Sequence, residues 1–229
     1  VLHYPEKEVL VTSDLLMEGV HFDLTYTDLR HLGYKAAMVN ISDVFAMNGT
    51  PRQITVSLAL SKRFSVEDME AFYSGLRLAC DKWGVDIVGG DTTSSYTGLA
   101  ISITCIGVAH KEKIVFRNGA KETDLICVSG DLGAAYMGLQ LLEREKAVFE
   151  GQKEAQPDFA GKEYLLERQL KPEARKDIVE ALAKEGRPPP RQLSPYLRST
   201  SIHIHQPAGI CRCYQAYTMR ANRRIHRYC

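Results

Sequence analysis

The chain has 229 residues, with 29 Lys and Arg against 28 Asp and Glu, for a formal charge of +1. It is long enough to bury a real core as one large domain or two small ones, and no apolar run approaches the roughly 20 residues a membrane-spanning helix needs. The near-neutral total hides a split: residues 187–229 hold eight Arg and no Lys, Asp or Glu, leaving 21 basic against 28 acidic side chains before them, a formal charge of −7.

Cys80, Cys105 and Cys127 sit in apolar segments, as buried thiols do, while Cys211, Cys213 and Cys229 belong to the tail. With no CxxC pair and no visible signal peptide, a reducing cytoplasm is the expected compartment. The sequence opens at Val1 rather than at Met, which suggests a piece missing at the N-terminus.

Taken in order, Glu8–Asp14 is a β-branched run ending in Thr12, Ser13 and Asp14, read as a strand with polar groups at its C-terminal end. Leu15–His21 then reads as a loop. His21 is either a packing histidine or a ligand contact, seven residues past a candidate metal carboxylate. Thr27 is the expected N-cap of a helix on which Leu29, Leu32, Ala36 and Val39 recur at helical spacing. That helix carries Asn40, Ser42 and Asp43 and stops at Asn48-Gly49. Asp43, among Ile41, Val44 and Phe45, is either solvated on the surface or costly to bury alone.

Gln53–Leu60 alternates with period two, a half-buried strand. Ser65–Asp68 is a variant capping box opening an amphipathic helix, with Val66, Met69, Phe72, Leu76, Ala79 and Trp83 as its core stripe and Gly84 as its stop. Tyr73, beside that stripe, either packs or stacks on a base. Val85, Ile87 and Val88 read as a short buried strand, and Gly89-Gly90 as a turn that lets a backbone approach a phosphate. Asp91 follows with Thr92 and Thr93: either an ordinary β-turn or a carboxylate placed for Mg²⁺. Leu99–Ala109 is another alternating strand.

Phe116–Lys121 is a polar turn whose Arg117 is a loop cation or a phosphate clamp. Asp124–Gly130 is a strand, and Asp131–Ala135 opens a helix running to about Glu145. Residues 146–157 read as a solvated connection. Two helices follow, Tyr164–Gln169 and Glu173–Lys184, the second started by Pro172 in its first turn. Strand, helix, strand, helix, strand, strand indicates an α+β or α/β architecture with a largely antiparallel component.

Carboxylates converging on one cleft repel each other unless cations neutralise them. Mg²⁺ bridging the phosphates of ATP is a natural solution, because phosphoryl transfer is mostly positioning and charge neutralisation. No Walker A sequence and no protein-kinase HRD or DFG set is present, so phosphates would be held by metal rather than by a P-loop lysine.

Thr12–His21, Tyr34–Asp43, Ala46-Met47, Gly89–Thr93 and Arg117–Ala120 occur in the order and approximate spacing of the thiamine-monophosphate kinase family, within the AIR-synthase-like ATP-binding superfamily. The resemblance covers roughly residues 8–186. It implies an AIR-synthase-like N-terminal α/β domain with a mixed, largely antiparallel sheet over residues 1–121, the start of a second α/β domain at 122–186, and a separate tail at 187–229. It also implies transfer of the γ-phosphoryl of ATP onto thiamine monophosphate. By resemblance Thr12, Ser13, Asp14, Asp43 and Asp91 are Mg²⁺ ligands, His21 a substrate contact, and Tyr73, Gly90, Asp91 and Arg117 ATP contacts. A homodimer formed through the sheets is implied too, with no membrane and no nucleic-acid partner. Other ATP-using synthetases of the superfamily, or a non-catalytic nucleotide- or RNA-binding module, are the alternatives.

The family's Gly-Asp-Asp-Ala segment would precede residue 1, and its Asp-x-Ser-Asp-Gly run would follow Pro188, where an Arg-rich, acid-free stretch stands instead. The resemblance therefore implies little or no turnover by the chain as written. Its tail reads as an out-of-frame, irregular or disordered segment, a nucleic-acid arm, or a weak Cys/His knuckle.

Overall fold

The computed structural model describes residues 6–116, 125–129, 131–151, 158–184, 201–205 and 211–214. Its first half is one four-stranded sheet with two helices against one face. The elements are β1 (Glu8–Met17), α1 (Leu29–Ala46), β2 (Thr50–Leu60), α2 (Val66–Trp83), β3 (Asp86–Ser94) and β4 (Leu99–Ala109). The sheet order is β1-β4-β2-β3, antiparallel at the first two ladders and parallel between β2 and β3. The mixed, largely antiparallel α+β architecture is therefore present.

Period-two alternation decides the sheet's two faces. Leu10 and Leu16 of β1, Ile54, Val56 and Leu58 of β2, and Leu99, Ile101, Ile103 and Cys105 of β4 are buried beneath the helices. The other face is open: Val9, Val11, Leu15 and Met17 are exposed, Val11 to 64%. β1 runs on to Met17, so Leu15–Met17 is strand rather than the expected loop; ten consecutive pairs with β4 hold it, from Glu8 with Ala109 to Met17 with Ala100.

The glycine pair at 89–90 is also strand rather than turn. Ile54 pairs with Ile87 and Thr55 with Gly89, leaving Val88 as an extra, bulged residue. A Cβ on Gly90 would stand 2.7 Å from the Val56 carbonyl carbon, so glycine here lets the edge strand lie close on β2.

α1 is capped by Asp28, whose carboxylate accepts from His31 N at 2.8 Å, and not by Thr27, which is itself buried. Buried residues surround α1 on every side from Leu32 to Ile41, because the sheet covers one face and α2 another. α2 bears the expected capping box, with Ser65 Oγ accepting from Asp68 N and Asp68 Oδ2 from Ser65 N, and it ends at Gly84 with φ +62°. Its core stripe includes Phe72, Leu76, Ala79 and Cys80, but Val66, at the solvent-facing first turn, is 71% exposed.

Downstream lie β5 (Leu125–Ser129), α3 (Ala134–Gly151), α4 (Glu163–Leu170), α5 (Lys176–Lys184), β6 (Ser201–His205) and β7 (Cys211–Tyr214). β5, β6 and β7 form an antiparallel sheet in that order. Residues 146–151 continue α3 instead of forming a connection, and Lys146 reaches Asp23 at 2.6 Å. α5 starts at Lys176, so Pro172 is not in its first turn. Glu173 instead accepts from Tyr34 and Lys82, both at 2.6 Å, tying this segment to α1 and α2. Among the described residues, no helix is long and apolar enough to cross a membrane.

Candidate functional site

The candidate residues divide between the two faces of the sheet. Thr12 and Asp14 lie two apart on β1 and so share the face covered by α1. From α1, Asp43 reaches down to the strand: Thr12 Oγ1 donates to Asp43 Oδ2 at 3.0 Å. Thr12 is paired with Cys105 of β4, and burial, then Cys80, then the Asp43 charge push the Cys105 thiol up to about 12. Asp43 is thus seated at the junction of β1 and β4, partly buried, with Asp14 Oδ2 buried on the same face.

Ser13 points the other way. Its Oγ shares a hydrogen bond of 3.1 Å with Thr104 Oγ1 on the open face. Asp91 is on that face as well, at the far edge. The register runs Leu15 with Ser102, Ser102 with Ser57, and Ser57 with Asp91, so Asp91 is three strands from β1, about 14 Å at the usual inter-strand spacing. Asp91 Oδ1 accepts from Thr92 N at 2.8 Å. The chain therefore brings Thr12, Asp14 and Asp43 together and leaves Ser13 and Asp91 apart from them. Among the described residues, no three His, Cys, Asp or Glu converge as a ready metal cluster.

His21 is part-buried after β1, and its Nδ1 accepts from Met17 N at 3.0 Å, which fixes a neutral ring as the Nε2–H tautomer. Tyr73 packs edge-on against Phe72 with ring centroids 5.5 Å apart and lines a surface groove with Arg30, Glu70, Arg77 and Asp81. Burial pushes its phenol up. None of Thr12, Asp14, Asp43 or Asp91 lines that groove. Gly90 stands beside Asp91 on the edge strand, and Arg117 lies outside the described residues.

Two buried polar residues of α1 lie outside the site that the sequence predicts. Lys35 and Asn40 are each only 1% exposed. Their signal in the sequence is position: both interrupt the apolar run from Tyr34 to Ile41, and Asn40 stands one turn before Asp43.

Thr12, Asp14 and Asp43 offer only oxygen, two of them as carboxylates, at a partly dry junction. That donor set fits a hard divalent cation such as Mg²⁺ and would suit neither a soft metal nor an anion.

Residues 1–109 match the family described as AIR synthase related protein, N-terminal domain. Among curated proteins, the chain is 35% identical over 209 residues to the thiamine-monophosphate kinase of Aquifex aeolicus, covering 91% of this chain and 64% of that protein. It is 34% identical over 169 residues to the thiamine-monophosphate kinase of Bacillus subtilis, covering 74% and 50%. Among solved structures, ThiL complexed with AMPPCP and TMP superposes with a TM-score of 0.66 at 36% identity, over 80% of this chain and 55% of that one. The chain thus spans between half and 64% of these two curated relatives. Residues 1–109 thus match the AIR synthase related N-terminal domain, and the curated relatives that the chain resembles are thiamine-monophosphate kinases.

Proposed function

We propose that this chain carries the ATP- and Mg²⁺-using part of a thiamine-monophosphate kinase, with residues 1–121 as the nucleotide domain, 122–186 beginning a second domain and 187–229 a tail that, rather than standing apart as irregular chain, pairs its β6 with β5 of that second segment. The observation that carries the reading is the Thr12–Asp43 contact with Asp14 beside it on the helix-covered face. Likeness to a ThiL structure holding AMPPCP and TMP supports the choice of substrates. In the reaction, an oxygen of the thiamine monophosphate phosphate attacks the γ-phosphorus of ATP in line. The bond from the γ-phosphorus to the β–γ bridging oxygen breaks, giving thiamine diphosphate and ADP. Mg²⁺, held by Thr12, Asp14 and Asp43, would supply neutralisation of phosphate charge. The nucleophile needs no protein base, since a phosphate oxygen is already deprotonated at neutral pH. His21 is assigned to the substrate, and Gly90, Asp91, Tyr73 and Arg117 are assigned to ATP.

Calorimetric titration of the chain with AMPPCP tests this reading. Binding is expected with MgCl₂ present and is expected to vanish in EDTA. Equal binding in both would remove the metal from the site.

We also place a second copy of the chain against the open face. Val9, Val11, Leu15 and Met17 make an apolar stripe there that solvent would otherwise cover, and Ser13 and Asp91 share the face. Val11→Asp would put a charge in the middle of that stripe. Sedimentation velocity is expected to show a dimer for the unaltered chain and a monomer for Val11→Asp; a monomer in both cases rejects the assignment.

A further inference from the structure

Asn40 is buried to 1% exposure in α1, and its two amide atoms fare differently. Nδ2 donates to the Ala36 carbonyl of its own helix at 3.1 Å, while Oδ1 is buried with no hydrogen-bond partner. A buried, unpaired amide oxygen is costly, and natural chains keep one only where something offsets the cost.

Its place in the fold indicates what does. Asp43 and Val44 follow Asn40 by three and four residues, so all three share the side of α1 turned to the sheet. Asp43 meets Thr12, and the Val44 side chain fills the space beside Gly107 and Gly49. β1 runs antiparallel to α1, because Leu10 lies by Gly49 at the helix's C-terminal end and Thr12 by Asp43. The two residues from Thr12 to Asp14 advance about 6.6 Å along the strand, and the three from Asp43 back to Asn40 retreat about 4.5 Å along the helix. Asn40 and Asp14 therefore lie to the same side of the Thr12–Asp43 contact. Thr12 Oγ1, Asp14, Asp43 and Asn40 Oδ1 thus all present oxygen on the side where β1 and α1 meet.

We infer that Asn40 Oδ1 is a further ligand or direct positioning oxygen of the divalent-cation site built on Thr12, Asp14 and Asp43. The inference rests on the cation reading above, and deepens it by adding a neutral donor from the helix. A neutral amide oxygen adds coordination without adding to the repulsion between the two carboxylates, which the chain must already hold close.

Mn²⁺ serves as the probe, with free Mn²⁺ followed by electron paramagnetic resonance on the whole chain and thermal unfolding recorded with and without the ion. Asn40→Leu removes the unpaired oxygen at similar volume. It is expected to unfold at the same temperature as the unaltered chain or higher without metal, yet to bind Mn²⁺ at least about tenfold more weakly. Asn40→Asp adds a third carboxylate. It is expected to lower the unfolding temperature without metal and to show a larger Mn²⁺-induced rise than the unaltered chain. A purely structural Asn40 would give neither effect: unchanged Mn²⁺ affinity in Asn40→Leu, or a Mn²⁺-induced rise in Asn40→Asp no larger than in the unaltered chain, overturns the inference. If the unaltered chain binds no Mn²⁺, the cation reading itself fails and the inference with it. If the unaltered chain binds and Asn40→Leu binds equally, the inference fails alone.

Discussion

Asp43→Asn is expected to abolish Mg²⁺-dependent AMPPCP binding while leaving the fold in place. The substitution keeps the shape of the side chain and one oxygen able to accept from Thr12 Oγ1, so the strand–helix contact at 3.0 Å can persist. Weakening one part-buried hydrogen bond of this kind costs about 1 kcal/mol, a small fraction of the stability of a domain. The charge is another matter. Mg²⁺ is held by few protein groups and dehydrates reluctantly, so each carboxylate carries much of the affinity. Losing even an outer partner of a metal ligand costs about 10–100-fold, and a direct ligand should cost about 100-fold or more. Calorimetry with AMPPCP and MgCl₂ measures this, and circular dichroism confirms the fold. Asp68→Asn is the matched control: Asp68 is an acidic residue of α2 that only caps its own helix, so nucleotide binding should be unaffected. Wild-type affinity in Asp43→Asn would remove the cation from the face between β1 and α1.

Much of the first half was legible from the sequence because its signals are local. The alternation of Leu99–Ala109 gave a strand with those bounds, and Ser65–Asp68 gave a capping box with both hydrogen bonds. What the sequence obscured was how elements meet. Gly89-Gly90 resembles a turn by composition, yet it continues an edge strand, and the approach of Val56 excludes a side chain at Gly90 alone. Thr12, Ser13 and Asp14 were grouped as one set of ligands, although adjacent residues of a strand face opposite ways; once β1 extended to Met17, Ser13 had to leave the set's face. Asp91 adjoins the others in no local sense, and its distance from β1 follows from strand order, which involves residues far apart in the chain. Residues 146–151 read as solvated and are largely exposed, but as the last turns of a helix. Asn40 reads from the sequence as one polar residue of a helix, because its burial and its unpaired oxygen arise only from packing against distant elements.

The seating of α1 over β1 depends on a helix crossing that admits no side chain, so Gly75→Ala is expected to be strongly destabilising. A Cβ on Gly75 would lie 2.6 Å from the Arg30 carbonyl carbon, and on the facing helix a Cβ on Gly33 would lie 2.9 Å from the Phe72 carbonyl carbon. Both obstacles are backbone, which cannot rotate aside as a flexible side chain would. The helices must separate instead, and that opens gaps around Leu32, Phe72 and Leu76, all fully buried. Overpacking of this kind costs about 1–3 kcal/mol where neighbours can adjust, and the upper end or more is expected where they cannot. A loss of about 3 kcal/mol should lower the melting temperature by roughly 6–12 °C in a chain of this size. Gly151→Ala makes the same chemical change at the end of α3, where a Cβ meets nothing within 4 Å. Helix propensity alone then applies, and the expected result is no loss or a gain of up to about 1 kcal/mol. Thermal unfolding of the two variants thus separates a packing effect from a propensity effect, because they predict opposite signs. Equal melting temperatures would mean that α1 and α2 can part at little cost. Asp43 would then be held over Thr12 by the sheet contact alone, and the cation site would have to tolerate a mobile helix.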